Sequence, residues 1–469
     1  MKLYNTLTRQ LDEINPLNGR TIRLYTCGPT MYNHAHIGNL SSFVFADTLR
    51  RTIAITGFGV THAMNYTDVD DKTIRRSRQQ YPDEDPAKAL RKLTDQYIAL
   101  FLDDMHAIGN DTKALHFLRA TDPAVMEGMK QLIISLYKNG FAYIADDGVY
   151  FSIEAYRKNG KTYGQLLEIT IHNTSEARIQ NDEYDKESAH DFALWKTRKQ
   201  DEPAWDFTLD GHDLAGRPGW HIECSVMSRQ ALGQPFDIHT GGIDLMFPHH
   251  ENEIAQSTAL EKNPVMAAIF VHNEHILIDG KKMSKSANNF YTLSDIIQKS
   301  YSPLAFRLKI LQSHYRSQVN FTWESLEAAG NLLKKLQAWA DMKHQRAADK
   351  QTNLDKTYAE ALKKTIGALQ NDLDTPTAIT QLAALANGAE EQGITAEKIQ
   401  PLLNILDRIF GLQLASRPDI TDKQKQLIAD RETARQSKDW AASDKVREQL
   451  AEQGLGVRDT AQGPIWYRL

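Results

Sequence analysis

Four residues with metal-binding side chains lie in distant parts of this chain. Cys27 and Cys224 are far apart in sequence, whereas His249 and Glu253 are four residues apart in a stretch with a helical pattern. On a helix, that spacing places the imidazole and the carboxylate on one face. Two thiolates, an imidazole and a carboxylate would form a tetrahedral zinc site. The spacing alone also fits two unrelated buried cysteines and a solvated His/Glu pair, so both interpretations stay open.

Two other stretches have residues suited to phosphate. Residues 36–39 read His-Ile-Gly-Asn between a strand pattern and a helix pattern, and a helix amino terminus carries a partial positive charge and free N–H groups. His36 would add a donor, and Gly38 would let the backbone approach a ligand closely. Far downstream, residues 281–286 place three lysines in a loop of small residues. Either stretch alone also fits an ordinary turn or a solvated basic loop.

Together, these two stretches resemble the paired nucleotide motifs of the class I aminoacyl-tRNA synthetases. Residues 36–39 are similar to the HIGH motif and residues 282–286 read KMSKS. The resemblance implies activation of an amino acid by ATP with Mg²⁺, with phosphate contacts from His36, Asn39, Lys282 and Lys285. Asn39 departs from the family pattern, which has histidine there, and it can donate a hydrogen bond without carrying charge.

Further blocks of the sequence resemble the cysteinyl-tRNA synthetases, and the similarity covers nearly the whole chain. These blocks are residues 27–30, 65–68, 217–225, 236–239 and 244–253. The resemblance implies a zinc ion in the amino-acid pocket, held by Cys27, Cys224, His249 and Glu253. It also implies a pocket walled by Trp220, with Thr67 and His239 nearby, and Asp244 at the adenosine ribose or the amino group of cysteine.

The implied substrates are L-cysteine, ATP and tRNA(Cys). The cysteine carboxylate would attack the α-phosphate of ATP, and a ribose hydroxyl at the tRNA 3′ end would then accept the cysteinyl group. Pocket shape separates close isosteres by only roughly 10–200-fold. A borderline-soft zinc ion would prefer the cysteine thiolate to the serine hydroxyl. A ligase that joins cysteine to an amino sugar, and a non-catalytic RNA-binding protein, are the alternatives.

The carboxyl end resembles the anticodon-binding domain of the same family. The residues that match base-reading positions there are Arg435, Trp440, Asp444 and Asp459. An indole can stack on an unpaired base, and arginine and aspartate can bond to exposed base edges. A solvated amphipathic helix is the alternative for this stretch, and its mixed charge does not decide between the two.

The elements that position these residues can be predicted from the pattern. Residues 22–25 and 60–66 read as strands, and helical patterns follow each of them. Alternating strands and helices indicate a parallel, doubly wound sheet whose ligands bind at the carboxyl ends of the strands. Cys27, His36 and Thr67 would meet at that edge. The predicted fold class is α/β, a Rossmann-like catalytic domain with an insertion, followed by a helical bundle and a small C-terminal domain.

Five segments are expected from the changes in pattern. They are the first half of the catalytic domain (1–120), a connective insertion (121–205), the second half with the lysine loop (206–300), a stem-contact and helical-bundle domain (301–415) and an anticodon-binding domain (416–469).

Local signals predict where several helices begin. Ser and Asn residues near the start of a helix at residues 41–49 suit capping, and Pro248 is expected to open a helix that runs through Ala255. Thr421 with Gln424 has the form of a capping box. Each signal fixes one end of an element that carries candidate site residues.

The composition limits the class of protein. The chain has 469 residues, of which 41% are hydrophobic and 25% charged, and two cysteines. This length indicates several domains, and two cysteines do not make a disulfide framework. No run of about 18 apolar residues and no amino-terminal signal core occur, so a cytoplasmic protein without a membrane span is expected. A net charge of −5 argues against non-specific coating of nucleic acid. We expect a monomer.

Overall fold

The computed structural model describes residues 1–167, 191–283, 289–345, 354–392, 396–460 and 463–469. In these ranges the chain forms two compact units. The first is Met1–Lys299 with Tyr315–Phe321, and the second is Ser300–His314 with Thr322–Leu469. Lys285 and residues 168–190 of the predicted insertion lie outside the described ranges. None of the helices described is long and apolar enough to cross a membrane.

The first unit holds the strands from β1 to β16 and the helices from α1 to α8. The strands are β1 Lys2–Asn5, β2 Gln10–Glu13, β3 Thr21–Thr26, β4 Gly59–Tyr66, β5 Leu115–Arg119, β6 Ala142–Ala145, β7 Gly148–Phe151, β8 Phe192–Thr197, β9 Thr208–Leu209, β10 His212–Asp213, β11 Gly216–Pro218, β12 Phe236–Gly242, β13 Ala267–Asn273, β14 Ile276–Ile278, β15 Lys281–Lys282 and β16 Val319–Phe321. The helices are α1 Ile37–Ile55, α2 Asp71–Gln80, α3 Pro86–Ala107, α4 Pro123–Lys138, α5 Ile153–Lys158, α6 Trp220–Leu232, α7 Glu251–Thr258 and α8 Leu293–Gln298.

A five-stranded parallel sheet forms the centre of the first unit. Its strand order is β13-β12-β3-β4-β5, and all four neighbouring pairs are parallel. The predicted α/β class with a parallel sheet is confirmed. The chain runs outward from β3 in one direction and returns at β12 to run in the other, so the order reverses between β3 and β12. Ligands bind at such a switch point, beyond the carboxyl ends of the strands. Cys27 directly follows β3 at this edge.

A second, antiparallel sheet with the order β11-β8-β7-β6 lies in the region of the predicted insertion. Strands β6 and β7 form a hairpin around a turn at Asp146 and Asp147. β11 joins this sheet after residue 205, and helix α6 follows β11 almost at once. The five segment borders remain predictions.

The helix predicted to open at Pro248 begins there, in an irregular first turn. Residues 246–250 form this turn, Phe247 is its one non-helical residue, and the regular helix α7 continues from Glu251 past Ala255, so the prediction for this boundary is confirmed. Phe247 is extended, with φ −140° and ψ 136°. A residue that precedes proline is sterically disfavoured in the helical region, and this explains why the continuous helical backbone starts at Pro248 and not earlier.

The second unit is mainly helical. Its elements are α9 Pro303–Leu311, α10 Trp323–Asp341, α11 Leu354–Gln370, α12 Thr375–Gln392, α13 Ala396–Phe410, α14 Asp422–Gln436, α15 Trp440–Glu452, β17 Leu455–Thr460 and β18 Gly463–Arg468. β17 and β18 pair antiparallel as a terminal hairpin. Thr421 and Gln424 form the predicted capping box at the start of α14.

Candidate metal centre and nucleotide site

Four buried side chains converge beyond the carboxyl end of β3. One donor atom from each of Cys27, Cys224, His249 and Glu253 lies within 4.8 Å of the other three. The two sulfur atoms are 3.7 Å apart, and His249 Nε2 is 2.9 Å from Glu253 Oε1. Two sulfurs bound to one tetrahedral zinc ion at about 2.3 Å would be about 3.8 Å apart. The donor types and the sulfur separation therefore fit zinc.

Each of these donors is positioned by a different element. Cys27 follows the central strand β3, Cys224 lies on α6, and Glu253 lies in the first turn of α7. His249 lies in the irregular turn before α7, and its ring stacks on Trp220 with the centroids 4.1 Å apart. The turn brings His249 and Glu253 together as predicted, although His249 is outside the regular helix.

The charges of this cluster are strongly coupled. Burial raises the pKa of the Cys27 thiol, which donates hydrogen bonds to Cys224 and to Glu253. Burial would also raise the pKa of Cys224, but hydrogen bonds from Cys27 and His249 outweigh it and lower that pKa to about 6. Burial acts to lower the pKa of His249, yet Glu253 and Cys224 raise it to about 10. The site thus holds anionic ligands, and a bound cation would displace its protons.

The histidine predicted for the substrate pocket contacts a metal-ligand candidate. His239 Nε2 lies 2.9 Å from Glu253 Oε2, and both side chains are fully buried. Burial acts to raise the pKa of Glu253, but His239 and His249 hold it well below its usual range. His239 therefore orients Glu253 and helps to keep it ionised.

Thr67 and Trp220 contact different residues near the cluster: Thr67 bonds to Glu223, and Trp220 stacks on His249. The Thr67 hydroxyl donates to Glu223 Oε2 at 3.0 Å and accepts from Asn65 Nδ2 at 3.2 Å. Thr67 is thus held in place by Glu223 and Asn65. Trp220 is only partly buried and covers His249.

Sequence reasoning missed three buried groups around the cluster. Glu223 precedes Cys224, and burial raises the pKa of its carboxyl. His250 Nε2 lies 3.5 Å from Cys27 Sγ, and His250 Nδ1 lies 2.8 Å from His272 Nε2. Burial and the nearby His239 hold the pKa of His250 well below its ordinary value. The doubled histidine at 249–250 was the available signal for His250, whereas His272 comes from β13 and has no local signal.

His36 and Asn39 form the amino terminus of α1. His36 is the N-cap: the Asn39 N–H donates to His36 Nδ1 at 3.1 Å, and the His36 N–H donates to Asn39 Oδ1 at 3.3 Å. The sequence predicts that Ser and Asn residues cap this helix. The N-cap residue is instead His36, and Asn39 is its reciprocal partner. A Cβ atom at Gly38 would lie 2.9 Å from His36 Nδ1, so glycine is required for this arrangement.

The start of the lysine loop lies close to α1. A Cβ atom at Gly38 would be 3.5 Å from the Met283 methyl group, and the Ile37 N–H donates to the Tyr291 carbonyl at 2.9 Å. Lys282 is exposed at the end of β15. The described parts of the two nucleotide motifs are thus adjacent in the first unit.

Asp244 lies in a short turn after β12. Its side chain is about half exposed, and its Oδ1 lies 4.0 Å from His275 Nδ1. A Cβ atom at Gly242 would be 2.4 Å from the same oxygen. The absence of a side chain at Gly242 therefore makes room for the Asp244 carboxylate at the edge of the central sheet.

The predicted base-reading residues of the second unit form a connected group. Asp459 accepts two hydrogen bonds from Arg431, at 2.7 and 2.9 Å, and lies 3.1 Å from Arg435. The Arg435 guanidinium lies 5.6 Å from the ring centre of Trp440, which is 56% exposed. Asp444 lies one turn further along α15. Arg431, which sequence reasoning did not single out, holds Asp459 in place and, by its hydrogen bonds, lowers the pKa of that carboxyl.

Comparison with known proteins shows the family of this chain. The sequence profile of the class I tRNA synthetase (C) catalytic domain matches residues 13–331. The profile of the cysteinyl-tRNA ligase anticodon-binding domain matches residues 417–468. The chain belongs to the cysteine–tRNA ligase family. The family match spans both units and includes every residue of the candidate sites.

Full-length relatives of the family are similar along the whole chain. The cysteine–tRNA ligase of Leptospira interrogans serovar Lai is 37% identical over 482 residues, covering 99% of each chain. That of Brachyspira hyodysenteriae is 36% identical over 487 residues, covering 99% of this chain and 98% of the relative.

Solved structures of other synthetases share the fold at low identity. Methionyl-tRNA synthetase of Mycobacterium tuberculosis, in complex with methionyl-adenylate, is similar with a TM-score of 0.56 and 14% identity, covering 85% of this chain and 89% of that one. The LeuRS of Agrobacterium radiobacter K84, in a ternary complex with tRNA, has a TM-score of 0.59 and 12% identity, covering 88% of each chain. These similarities establish the class I synthetase fold.

Proposed function

We propose that this protein is a cysteine–tRNA ligase that activates L-cysteine with ATP and transfers it to tRNA(Cys). The observation that carries the proposal is the convergence of Cys27, Cys224, His249 and Glu253 next to the sheet edge where α1 begins. This arrangement combines a soft-metal ligand set with a helix terminus suited to phosphate. The relatives that match the whole chain carry the same activity in their names.

We propose zinc as the ion of this ligand set. Zinc supplies a Lewis acid that favours a substrate thiolate over a hydroxyl. Cys27, Cys224, His249 and Glu253 would hold the ion, while His239 fixes the Glu253 carboxylate. Trp220 shields the His249 side of the cluster. Together with Thr67 and His239, Trp220 forms the proposed cysteine pocket.

The phosphate side depends on positioning and charge. The amino terminus of α1, His36 and the Asn39 amide would contact the triphosphate, and Lys282 and Lys285 would neutralise its outer phosphates. Asp244 is the proposed contact for the ribose or the cysteine amino group. No protein nucleophile is needed, because the cysteine carboxylate and the tRNA ribose hydroxyl each attack in turn. Mg²⁺ is proposed to accompany ATP.

The second unit is proposed to bind the anticodon. Trp440 offers an exposed face for stacking on an unpaired base. Arg435, Asp444 and Asp459 offer donors and acceptors for base edges, and Arg431 restrains Asp459. We also propose a monomer, which sedimentation equilibrium can test.

Cysteine-dependent exchange of pyrophosphate into ATP tests the proposal. The zinc-loaded protein should exchange with cysteine and at most very weakly with serine. Removal of the metal should abolish exchange, and added zinc should restore it. The Cys224→Ala variant should behave like the stripped protein but without rescue, while His212→Ala, at an exposed site in β10, serves as the matched control.

Two outcomes would contradict the proposal. If the zinc-loaded protein binds ATP but does not exchange pyrophosphate in the presence of cysteine, the non-catalytic interpretation is favoured. Transfer of the cysteinyl group to an amino sugar instead of tRNA(Cys) would assign the related ligase activity. The domain matched at residues 417–468 supports tRNA as the acceptor.

A further inference from the structure

Two of the proposed zinc ligands also face a second group of donors. Cys27 and Glu253 form another cluster with His239 and His250, in which all four donor atoms lie within 4.8 Å of one another and all four side chains are buried. The second cluster therefore shares two ligands with the first and adds two imidazoles of its own.

The distances in this second cluster match a metal coordination sphere. Cys27 Sγ is 3.5 Å from His250 Nε2, and a tetrahedral zinc ion would separate a sulfur and a nitrogen ligand by about 3.6 Å. His239 Nε2 is 2.9 Å from Glu253 Oε2, somewhat closer than the about 3.4 Å of a nitrogen and an oxygen on one zinc ion. If His239 Nε2 and Glu253 Oε2 moved apart by about half an ångström, their separation would match that of two ligands on one ion.

The Glu253 carboxylate faces both clusters with different oxygens. Its Oε1 lies 2.9 Å from His249 Nε2 and 3.6 Å from Cys27 Sγ, whereas its Oε2 faces His239. A carboxylate oriented in this way can bind one ion with each oxygen. The Cys27 sulfur lies 3.7 Å from Cys224 Sγ and 3.5 Å from His250 Nε2, so it can be shared in the same manner.

The surroundings of His250 resemble those of a ligating histidine. Its Nδ1 lies 2.8 Å from His272 Nε2, and His272 Nδ1 lies 2.8 Å from the Thr6 hydroxyl. Metal-binding histidines usually bond through their other ring nitrogen in this way, which fixes the ring and leaves the first nitrogen for the ion. His249 in the first cluster has the same arrangement, with its Nδ1 3.0 Å from His221 Nδ1.

We propose that Cys27, Glu253, His239 and His250 form a second metal seat, bridged to the first by the Cys27 sulfur and the Glu253 carboxylate. One thiolate, two imidazoles and a carboxylate suit a borderline divalent cation such as Zn²⁺ or Co²⁺. The first seat has two thiolates and fills first, and the second fills when the ion is in excess. The second seat goes beyond the proposed ligase function, which requires one ion.

Metal titration of the full-length, metal-stripped protein tests the second seat. Zinc content after gel filtration should reach one equivalent at low zinc and two at higher zinc. His250→Ala should keep the first equivalent and weaken the second at least about tenfold, because a ligand is lost. His239→Ala should also weaken the second equivalent, and it should weaken the first as well because His239 holds the Glu253 carboxylate, whereas His212→Ala should bind both ions. In His250→Ala, the retained first equivalent shows that the variant is folded at the site.

Cobalt spectra distinguish the seats without relying on activity. Sulfur-to-cobalt absorption should rise strongly with the first equivalent, which adds two thiolates, and less with the second, which shares Cys27. Binding that stops at one equivalent would overturn the proposal, as would a second equivalent that survives both histidine variants. If the unaltered protein does not bind even the first equivalent of zinc, the proposed zinc site itself is refuted. The two failures are therefore distinguishable.

Discussion

Asn39 has two separable roles at the start of α1. Its Oδ1 accepts from the His36 backbone N–H and so completes the capping box. Its Nδ2 group is the part that can donate to phosphate, and it does so without a charge. The neutral residue at this position is thus compatible with both a stable helix terminus and an anion site.

Replacing Asn39 with aspartate separates these two roles. Asn39→Asp keeps an acceptor for the cap and adds a charge that suits the helix amino terminus, so thermal stability should stay near that of the unaltered protein. It removes the donor and places a negative charge beside phosphate, so cysteine-dependent exchange should fall about 10²–10³-fold. Asn39→His retains a donor and is the control. Near-normal exchange by Asn39→Asp would limit Asn39 to the cap.

His62 is a neutral, buried histidine on strand β4 of the central sheet. Its Nε2 lies 2.8 Å from the Thr26 hydroxyl. Burial lowers the pKa of His62 to about 3. The charge of Arg50 adds to this shift, and the charge of Asp47 opposes it. The unfolded chain binds this proton near pH 6.5, so between pH 6.5 and 3 it holds more protons at this site than the folded chain. The stabilisation from His62 is complete above pH 6.5 and decreases as the pH falls through this window.

Substitution of His62 should flatten this acid dependence. In His62→Gln, the slope of the unfolding free energy between pH 6 and pH 4 should decrease by about 1.4 kcal/mol per pH unit, the value for one proton. Urea unfolding at several pH values measures it. His116→Gln, at an exposed position in β5, should leave the slope unchanged. An identical slope in His62→Gln would refute the assignment.

At the scale of elements, helix α7 is held by the segment between residues 156 and 166. Glu251 accepts the backbone N–H groups of Gly164 and Leu166, at 2.6 and 3.1 Å. Tyr163 donates its hydroxyl proton to Asn252 Oδ1 at 2.6 Å. Lys161 donates to the Thr258 carbonyl at 2.8 Å, at the far end of the helix. The segment therefore fixes both ends of the helix that carries Glu253.

Loss of the Glu251 contact should affect the metal cluster. In Glu251→Gln, one of the two backbone N–H groups would face an amide nitrogen, which should lower the unfolding free energy by about 1–3 kcal/mol. Zinc affinity should fall about 10-fold or more, because Glu253 is two residues away on the same turn. Competition with a chelator measures it.

Lys161→Met is the matched variant for this helix. It removes the contacts at the carboxyl end of α7, far from the ligands, so stability should fall while zinc affinity stays within about twofold of the starting value. Equal losses of zinc affinity in Lys161→Met and Glu251→Gln would mean that general loosening of α7, and not the amino-terminal contact, is responsible.

At the scale of the whole molecule, the two units separate the proposed chemistry from the proposed tRNA reading. The metal cluster and both nucleotide motifs belong to the first unit, and the Arg431–Asp459 pair belongs to the second. The two activities should therefore respond to different substitutions.

Trp440→Ala should impair tRNA use alone. Because base stacking on an aromatic ring contributes about 1–3 kcal/mol, the KM for tRNA(Cys) should rise about 5–150-fold. Cysteine-dependent exchange without tRNA and the melting temperature should not change, since this side chain is exposed. Tyr467→Ala removes another exposed aromatic of the second unit and is the control. An unchanged KM for Trp440→Ala would remove the indole from the proposed anticodon contact.

Much of the fold follows from local patterns. The strand before Cys27 and the capping box at Thr421 are encoded by residues a few positions apart, so the sequence alone predicts them. The helix start at Pro248 is also local, because proline favours a first turn and the residue before it is kept extended, whereas the irregular hydrogen bonding of residues 246–250 has no signal in the sequence.

The candidate site was predictable only in part. Donor types and motif resemblance indicate the Cys/His/Glu set, but His239 comes from β12 and His272 from β13, and no spacing in the sequence relates them. The pairing of parallel strands brings them together at the sheet edge. Which oxygen of Glu253 faces which histidine is likewise a result of packing, and no linear pattern contains it.

The chain has two cysteines among its 469 residues, and their buried sulfurs are 3.7 Å apart in the same cluster. Every thiol-directed reagent is therefore restricted to one location in the molecule. After brief labelling of the native protein, the number of thiols that react only once the protein is denatured measures how well that location was protected. A fluorophore can be attached elsewhere through an introduced surface cysteine, because no other native thiol competes for it.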